Sequence, residues 1–332
     1  MLRLSRRDFL RLAGGAAVAS TLPSPAFAGV LDKLFRDAPR ARPALTPNDE
    51  FYVTSYRSPP DIRVTHWTLA IKGLVEKPIT LTYPQLTARP AVSEIVTLEC
   101  VGNGVAADAI STATWDGVPL KSLLEEAGVA SSEAVDVVFR AADGYSDSIP
   151  FTRAMSGDVL IAHRMNGVPL PRGHGFPARI IVPGMYGMKH VQWLTEIDVV
   201  REDYKGYYQK KGWSDEAVVK TSSHIDLPGH GGVVKGRETI VQGYAFAGTR
   251  GIKQVEVSTD GGGIWHDAAL EPELSPYAWR FWTYRWDLPA PGRYDLQVRA
   301  TDGTGRLQVT EEQAAFPDGA VGLQEITVTV QA

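Results

Sequence analysis

Apolar and polar positions along this chain alternate mostly with a period of two, in short runs cut by turn residues. His66-Trp67-Thr68-Leu69-Ala70-Ile71 alternates and Lys72-Gly73 closes the run. Ile79-Thr80-Leu81, Glu94–Leu98, Val135–Arg140, Val159–His163 and Arg179–Val182 predict further strands, and the spacing of Leu120–Ala127 predicts a short helix ended by Gly128. Nowhere do strand and helix patterns alternate over a long stretch, which disfavours a doubly wound sheet. The pattern therefore predicts a mixed α+β, β-rich domain over residues 48–205. After a polar, Gly-containing stretch at 206–232, read as a linker, strand patterns recur at Thr239–Phe246, Lys253–Ser258, Trp279–Trp286, Tyr294–Ala300 and Leu323–Val330. Turns such as Asp260-Gly261-Gly262-Gly263 and Asp302-Gly303-Thr304-Gly305 separate them. Short strands at this spacing predict an immunoglobulin-like β-sandwich over residues 233–332.

The amino-terminal residues follow another rule. Ser5-Arg6-Arg7-Asp8-Phe9-Leu10 is a twin-arginine pattern, a mild apolar stretch runs from Leu10 to Leu22, and Ala26-Phe27-Ala28 reads as a cleavage site. Residues 1–28 are thus expected to be an export signal and 29–47 an arm on the first domain. Gly14, Gly15 and Ser20 interrupt the apolar stretch, which falls short of the roughly 20 residues a membrane span needs. The signal predicts a periplasmic protein exported already folded. The whole chain of 332 residues carries a net charge of −4, and removal of four Arg and one Asp with the leader takes it to −7. There is no basic surplus of the kind nucleic-acid binding requires.

One cysteine, Cys100, stands in the sequence, which excludes an intramolecular disulfide, a Cys-x-x-Cys-His haem attachment and any multi-cysteine metal site. It ends the apolar run Ile95–Leu98 and precedes Val101-Gly102-Asn103-Gly104, so the thiol is expected at a sheet rim. Most lone cysteines are small buried hydrophobes. In an oxidising compartment, however, a free thiol is a liability unless it is ligated, and a thiolate suits a thiophilic redox metal.

Several segments together resemble the sulfite oxidase family: Leu45-Thr46-Pro47-Asn48-Asp49-Glu50-Phe51-Tyr52, Thr97-Leu98-Glu99-Cys100-Val101-Gly102-Asn103, Met165–Arg179, Val182-Pro183-Gly184, Gly187–Leu194 and Asp203-Tyr204-Lys205-Gly206. The resemblance runs from about residue 45 to 330. It implies a molybdenum–molybdopterin cofactor, a pyranopterin dithiolene, with Cys100 as the protein's metal ligand. It further implies that His174 and Arg179 lie near the pterin phosphate, with His190, Val191 and Gln192 contributing through backbone and turn. Asn48, Phe51, Tyr52, Val53, Thr54, Ser55 and Tyr56 are expected to line the pterin, Asp143 to touch the cofactor, and Tyr204 to lie near the equatorial oxygen. The second domain matches the family's dimerisation domain, which suggests a homodimer. Molybdenum cycles by two electrons, so a c-type cytochrome or a membrane haem subunit is the expected one-electron partner.

The resemblance has gaps where the family reads sulfite with arginines. Those positions hold Gly104, Val105, Thr54 and Tyr277 here, with Arg57, Lys189 or Arg280 as the conceivable replacements. The expectation is an exported oxidoreductase that makes an oxygen-atom or two-electron transfer on a small molecule other than sulfite. A sulfite dehydrogenase proper, a sulfoxide or N-oxide reductase, and a non-enzymatic binding module are the competing readings. Trp115 and Trp193 are expected to pack. The aromatic run Tyr277, Trp279, Phe281, Trp282, Tyr284, Trp286 is expected to serve the sandwich core and a subunit contact.

Overall fold

The computed structural model describes residues 40–130 and 132–332; the expected export signal and the arm up to residue 39 lie outside them. Residues Ala41–Ala332 form one unit. Its first sheet has the spatial order Ile79–Thr82, Thr68–Gly73, Leu194–Val200, Asp136–Ala141, Ser146–Pro150. Thr68–Gly73 runs parallel to Leu194–Val200 and the other pairs are antiparallel. The predicted alternation places Leu69 and Ile71 inward, fully buried. On this sheet packs the helix Leu120–Ala127, whose Leu120, Leu123, Leu124 and Ala127 share one buried face. Gly128 ends the helix at φ 68° and ψ 61°, a left-handed cap that a side chain would strain.

The second sheet carries the site. Val92–Glu99 pairs with Ile110–Pro119, which pairs with Leu160–Met165, and Arg179–Ile181 joins at the far side of that strand. Ile110–Pro119 was not anticipated from the sequence. Both its faces are buried from Ile110 to Ala113 although Ser111, Thr112 and Ala113 are small, so neither alternation nor bulk marks it.

The remaining sheets, Ser222–Leu227/Glu238–Phe246/Arg280–Asp287/Ala269–Leu270 and Val233–Lys235/Glu325–Gln331/Gly292–Asp302/Ile252–Ser258/His266–Asp267, enclose a core that includes Val241, Val255, Trp282, Trp286, Leu296 and Val328. This is the immunoglobulin-like sandwich. Two expectations change here. Ser222–Leu227 lies within the expected linker yet is a strand of the sandwich; Ser223 and Ile225 point inward, and a serine at an inward position hides the period. The aromatic strand divides its faces differently from the expectation. Trp282 and Trp286 fill the sandwich core, whereas Trp279 and Phe281 pack with Tyr244 and Phe246 against Val101, Ile110, Tyr186 and Met188 of the first domain. Within this chain that face is an interdomain seam. Each Phe- or Ile-sized side chain buried there contributes roughly 1.5–3 kcal/mol, and Thr97 bonds both the Tyr277 carbonyl (3.0 Å) and the Trp279 N–H (2.8 Å) across it.

Candidate active site

Cys100 follows directly on the strand Val92–Glu99, and its loop is tied shut by Asn103. The Asn103 N–H bonds the Cys100 carbonyl (2.9 Å), its Nδ2 donates to Glu99 Oε1 (3.0 Å), and its Oδ1 accepts the Ala109 N–H (2.9 Å). The half-buried thiol opens on a cavity of about 240 Å³. Gly187 packs directly against Cys100. A Cβ there would lie 2.9 Å from the Tyr52 hydroxyl and 3.7 Å from the Cys100 Cα, so only glycine lets these groups close in.

Phe51, Tyr52, Thr54, Ser55, Tyr56, Cys100, Asp143, Arg179, His190, Val191 and Gln192, all anticipated from the sequence, line this one cavity. Four anticipated residues do not. Val53 is exposed. Asn48 is a strut: its Oδ1 accepts from Asn166 Nδ2 (2.8 Å) and its carbonyl from His174 Nε2 (2.7 Å). His174 stands behind the wall, edge-on to Phe51, and its carbonyl receives Arg179 Nη1 at 3.0 Å. Tyr204 is the fourth, and its expected place is corrected. Its hydroxyl lies 2.7 Å from Ser146 Oγ and its ring under the Arg140 guanidinium. Tyr208, four residues on, lines the cavity instead. Trp193 lines it as well, at an unusual φ of 48°, while Trp115 backs Arg179 as packing.

Tyr145, Met188, Tyr208 and Trp213 complete the wall and were missed. Tyr145 is placed by the Asp143-Gly144 turn, in which Asp143 Oδ1 accepts the Tyr145 N–H at 2.9 Å. That dipeptide between two strand patterns was a legible hairpin signal.

The electrostatics are lopsided. Arg179 is 4% exposed, and its guanidinium bonds only carbonyls, those of His174 and His190 (3.2 Å), with Nε unpartnered. Burial pushes its pKa down to about 10. His190 accepts the Val182 N–H on Nδ1 (3.1 Å) and donates from Nε2 to the Met185 carbonyl (3.0 Å), which fixes a neutral ring. Burial, then the nearby Arg179 charge, pushes it down to about 3. Asp143 Oδ2 and His174 Nδ1 are also buried without partners. The Tyr52 phenol is held far above its usual value by burial and by negative charge at Cys100. A buried cation facing no carboxylate is costly unless a ligand supplies the anion. The donor set therefore fits a phosphate-bearing group with a soft-metal end at the thiol. Among the described residues no three His, Cys, Asp or Glu side chains are grouped to hold a metal ion.

Comparison with known proteins gives the same answer. Residues 56–208 match the oxidoreductase molybdopterin binding domain and residues 216–315 the Mo-co oxidoreductase dimerisation domain. Mouse mitochondrial sulfite oxidase is 34% identical over 312 residues, 80% of this chain and 57% of the relative. Chicken sulfite oxidase is 31% identical, covering 80% and 68%. Tomato NADH nitrate reductase is 29% identical, covering 80% and 36%. The chain thus spans little more than half the length of the mammalian relatives. The solved structure of the sulfane dehydrogenase SoxCD from Paracoccus pantotrophus superposes with a TM-score of 0.75 at 25% identity, over 88% of this chain and 84% of that one. Both domain matches, the relatives and the fold agree: the chain belongs to the sulfite oxidase family, with molybdopterin as its cofactor.

Proposed function

We propose that this chain is an exported periplasmic enzyme in which Cys100 is the protein's bond to molybdenum, and which makes an oxygen-atom or equivalent two-electron transfer on a substrate less charged than sulfite. One observation carries the reading. The chain's single thiol opens on the same cavity as Arg179, a buried cation with no carboxylate bonded to it. When bound, molybdopterin supplies the dithiolene sulfurs and a metal that exchanges two electrons. Arg179 supplies charge for the pterin phosphate, and Gln192, Asp143 and the Phe51–Tyr56 segment orient the ring system. The twin-arginine pattern supports export, and the dimerisation-domain match supports a homodimer. Electrons are expected to leave to a c-type cytochrome or a membrane haem subunit.

The substrate follows from charge. Gly104 and Val105 line a separate small cavity beside Glu99, and Tyr277 packs with Val96 and Leu98. Lys189 is buried and committed to Asp147 and Asp215, and Arg280 bonds the Glu271 and Ile252 carbonyls and Glu273. Only Arg57, lying on the Tyr56 ring, remains near the cavity. Tyr52, Met188, Tyr208 and Trp213, none of them cationic, line the cavity that the thiol opens on. A dianion desolvated there goes unpaired, which favours a sulfoxide, an N-oxide or another small neutral molecule.

Steady-state assay of the molybdenum-loaded enzyme with sulfite and an artificial acceptor tests this. Weak or absent turnover is expected, and a kcat/KM on the order of 10⁶ M⁻¹s⁻¹ would restore sulfite. Cys100→Ser is expected to abolish turnover and remove one sulfur from the metal's coordination in X-ray absorption; an unchanged sulfur shell refutes the ligand assignment.

A further inference from the structure

Lys189 is buried to 1% exposure within the first domain, and the site described above has no use for it as a substrate cation. Its ammonium bonds three oxygens, each at 2.9 Å: Asp147 Oδ1, Asp215 Oδ1 and the Ser148 carbonyl. Asp147, itself fully buried, accepts on its other oxygen from the Tyr145 hydroxyl at 2.9 Å. Tyr145 lines the cavity. At the opposite end Asp215 is one-third exposed, and its Oδ2 receives Lys205 Nζ at 2.6 Å. From Tyr145, a residue of the cavity wall, the bonds run on without a break: Tyr145 Oη, Asp147, Lys189 Nζ, Asp215, solvent; the hydroxyl has the Met188 carbonyl, also at 2.9 Å, as its alternative acceptor.

We propose that Tyr145, Asp147, Lys189 and Asp215 form a proton conduit between the active-site cavity and solvent. The inference rests on the oxygen-transfer reading. Oxidation of a substrate X by X + H2O → XO + 2H⁺ + 2e⁻ leaves two protons in the cavity, while the electrons go to the one-electron carrier; reduction needs the same two protons brought in. Tyr145 takes a proton from the cavity as it hands its own to Asp147. Lys189 passes a proton to Asp215 and is refilled by the Asp147 carboxyl turning about its Cβ–Cγ bond. Asp215 releases its proton to water, and every group returns to its starting state. Burial raises Asp147 despite Lys189, while Asp215 ends below its ordinary value, because the two ammoniums outweigh its burial. Transfer from Asp147 to Asp215 thus runs against basicity, and loss of the Asp215 proton to water draws it outward. A purely structural ion pair needs neither a bonded tyrosine of the cavity wall nor an exposed end.

The test uses the full molybdenum-loaded chain adsorbed on an electrode, without substrate, in H2O and D2O. Tyr145→Phe removes the cavity end and spares the Asp147–Lys189 pair; Asp215→Asn removes the exposed end. Both variants are expected to slow the proton-coupled redox response of the metal about 100-fold, seen as peaks separating at lower scan rates. Imidazole buffer is expected to rescue Asp215→Asn and not Tyr145→Phe. Wild-type peak separation in both variants at every scan rate overturns the conduit, as does equal rescue of the two. Because no substrate is present, absent turnover with sulfoxides and N-oxides would count against the oxygen-transfer reading alone.

Discussion

Arg179 and Lys189 stand ten residues apart, and both are cations removed from water beside one cavity. Their surroundings differ completely. Lys189 finds two carboxylates and a carbonyl, so every N–H has an acceptor and its charge is answered within the chain. Arg179 finds two carbonyls and the Trp115 ring, so Nη1 and Nη2 each have an acceptor while Nε and the charge have none. The contrast separates a cation that completes the fold from one that awaits a ligand. Burial alone does not distinguish them; the absence of a bonded carboxylate does.

Lys189→Met should break this contrast most severely. It leaves Asp147 buried and uncompensated, and removing one partner of a buried pair costs about 3–5 kcal/mol. Urea unfolding of the cofactor-free protein is expected to show that loss. A loss under 1 kcal/mol would mean that Asp147 is neutral in the fold and no ion pair exists.

Arg179→Met should do the reverse. Two hydrogen bonds to carbonyls disappear, at about 1 kcal/mol each, but an unanswered charge disappears with them. Stability of the cofactor-free protein should therefore change by no more than about 1 kcal/mol, while molybdopterin retention weakens by about 10- to 100-fold, the worth of a charged hydrogen bond. Pterin fluorescence after gel filtration, beside an unfolding curve, reads both. A large stability loss with full cofactor content would assign Arg179 to the fold and erase the contrast.

The sequence pointed to Arg179 as a cation facing the cavity and offered Lys189 as one conceivable substrate ligand, and the structure commits only Lys189 to carboxylates. Arg179 sits in the motif Met165–Arg179, a chain-local pattern. The partners of Lys189 are distant in sequence, on a hairpin at Asp147 and in the stretch at Asp215, and the sequence read the latter as a linker. Only tertiary pairing shows that a cation offered as a substrate ligand is already spent. Tyr204 failed similarly: the motif places the backbone of 203–206, but the bonds to Ser146 and Arg140 decide which way the ring turns. Strands with clean alternation, such as Thr68–Gly73, were legible because one buried face imposes the period. Ile110–Pro119 and Ser222–Leu227 were not, since small or polar residues occupy their inward positions.

The smallest expected effect at any one pH sharpens the comparison through His190, which feels Arg179 directly. Burial and that unanswered charge hold the ring at about 3, well below its ordinary 6.5. As pH falls through 6.5 the unfolded chain takes up a proton that the folded ring refuses. The contribution of His190 to stability is therefore complete above pH 6.5 and is lost progressively as pH falls toward 3, by up to about 1.4 kcal/mol per unit. His190→Gln keeps an acceptor for the Val182 N–H and a donor for the Met185 carbonyl but does not titrate. Wild type should be the more stable protein at pH 7, and the gap should narrow between pH 6.5 and 4.5 in thermal unfolding of the cofactor-free forms. With molybdopterin bound, an anion beside Arg179 relieves part of the charge on the ring, so the gap should narrow less steeply. Equal narrowing in the two forms would mean that Arg179 does not act on His190, and a gap of constant width in both would mean that the folded ring is not depressed at all.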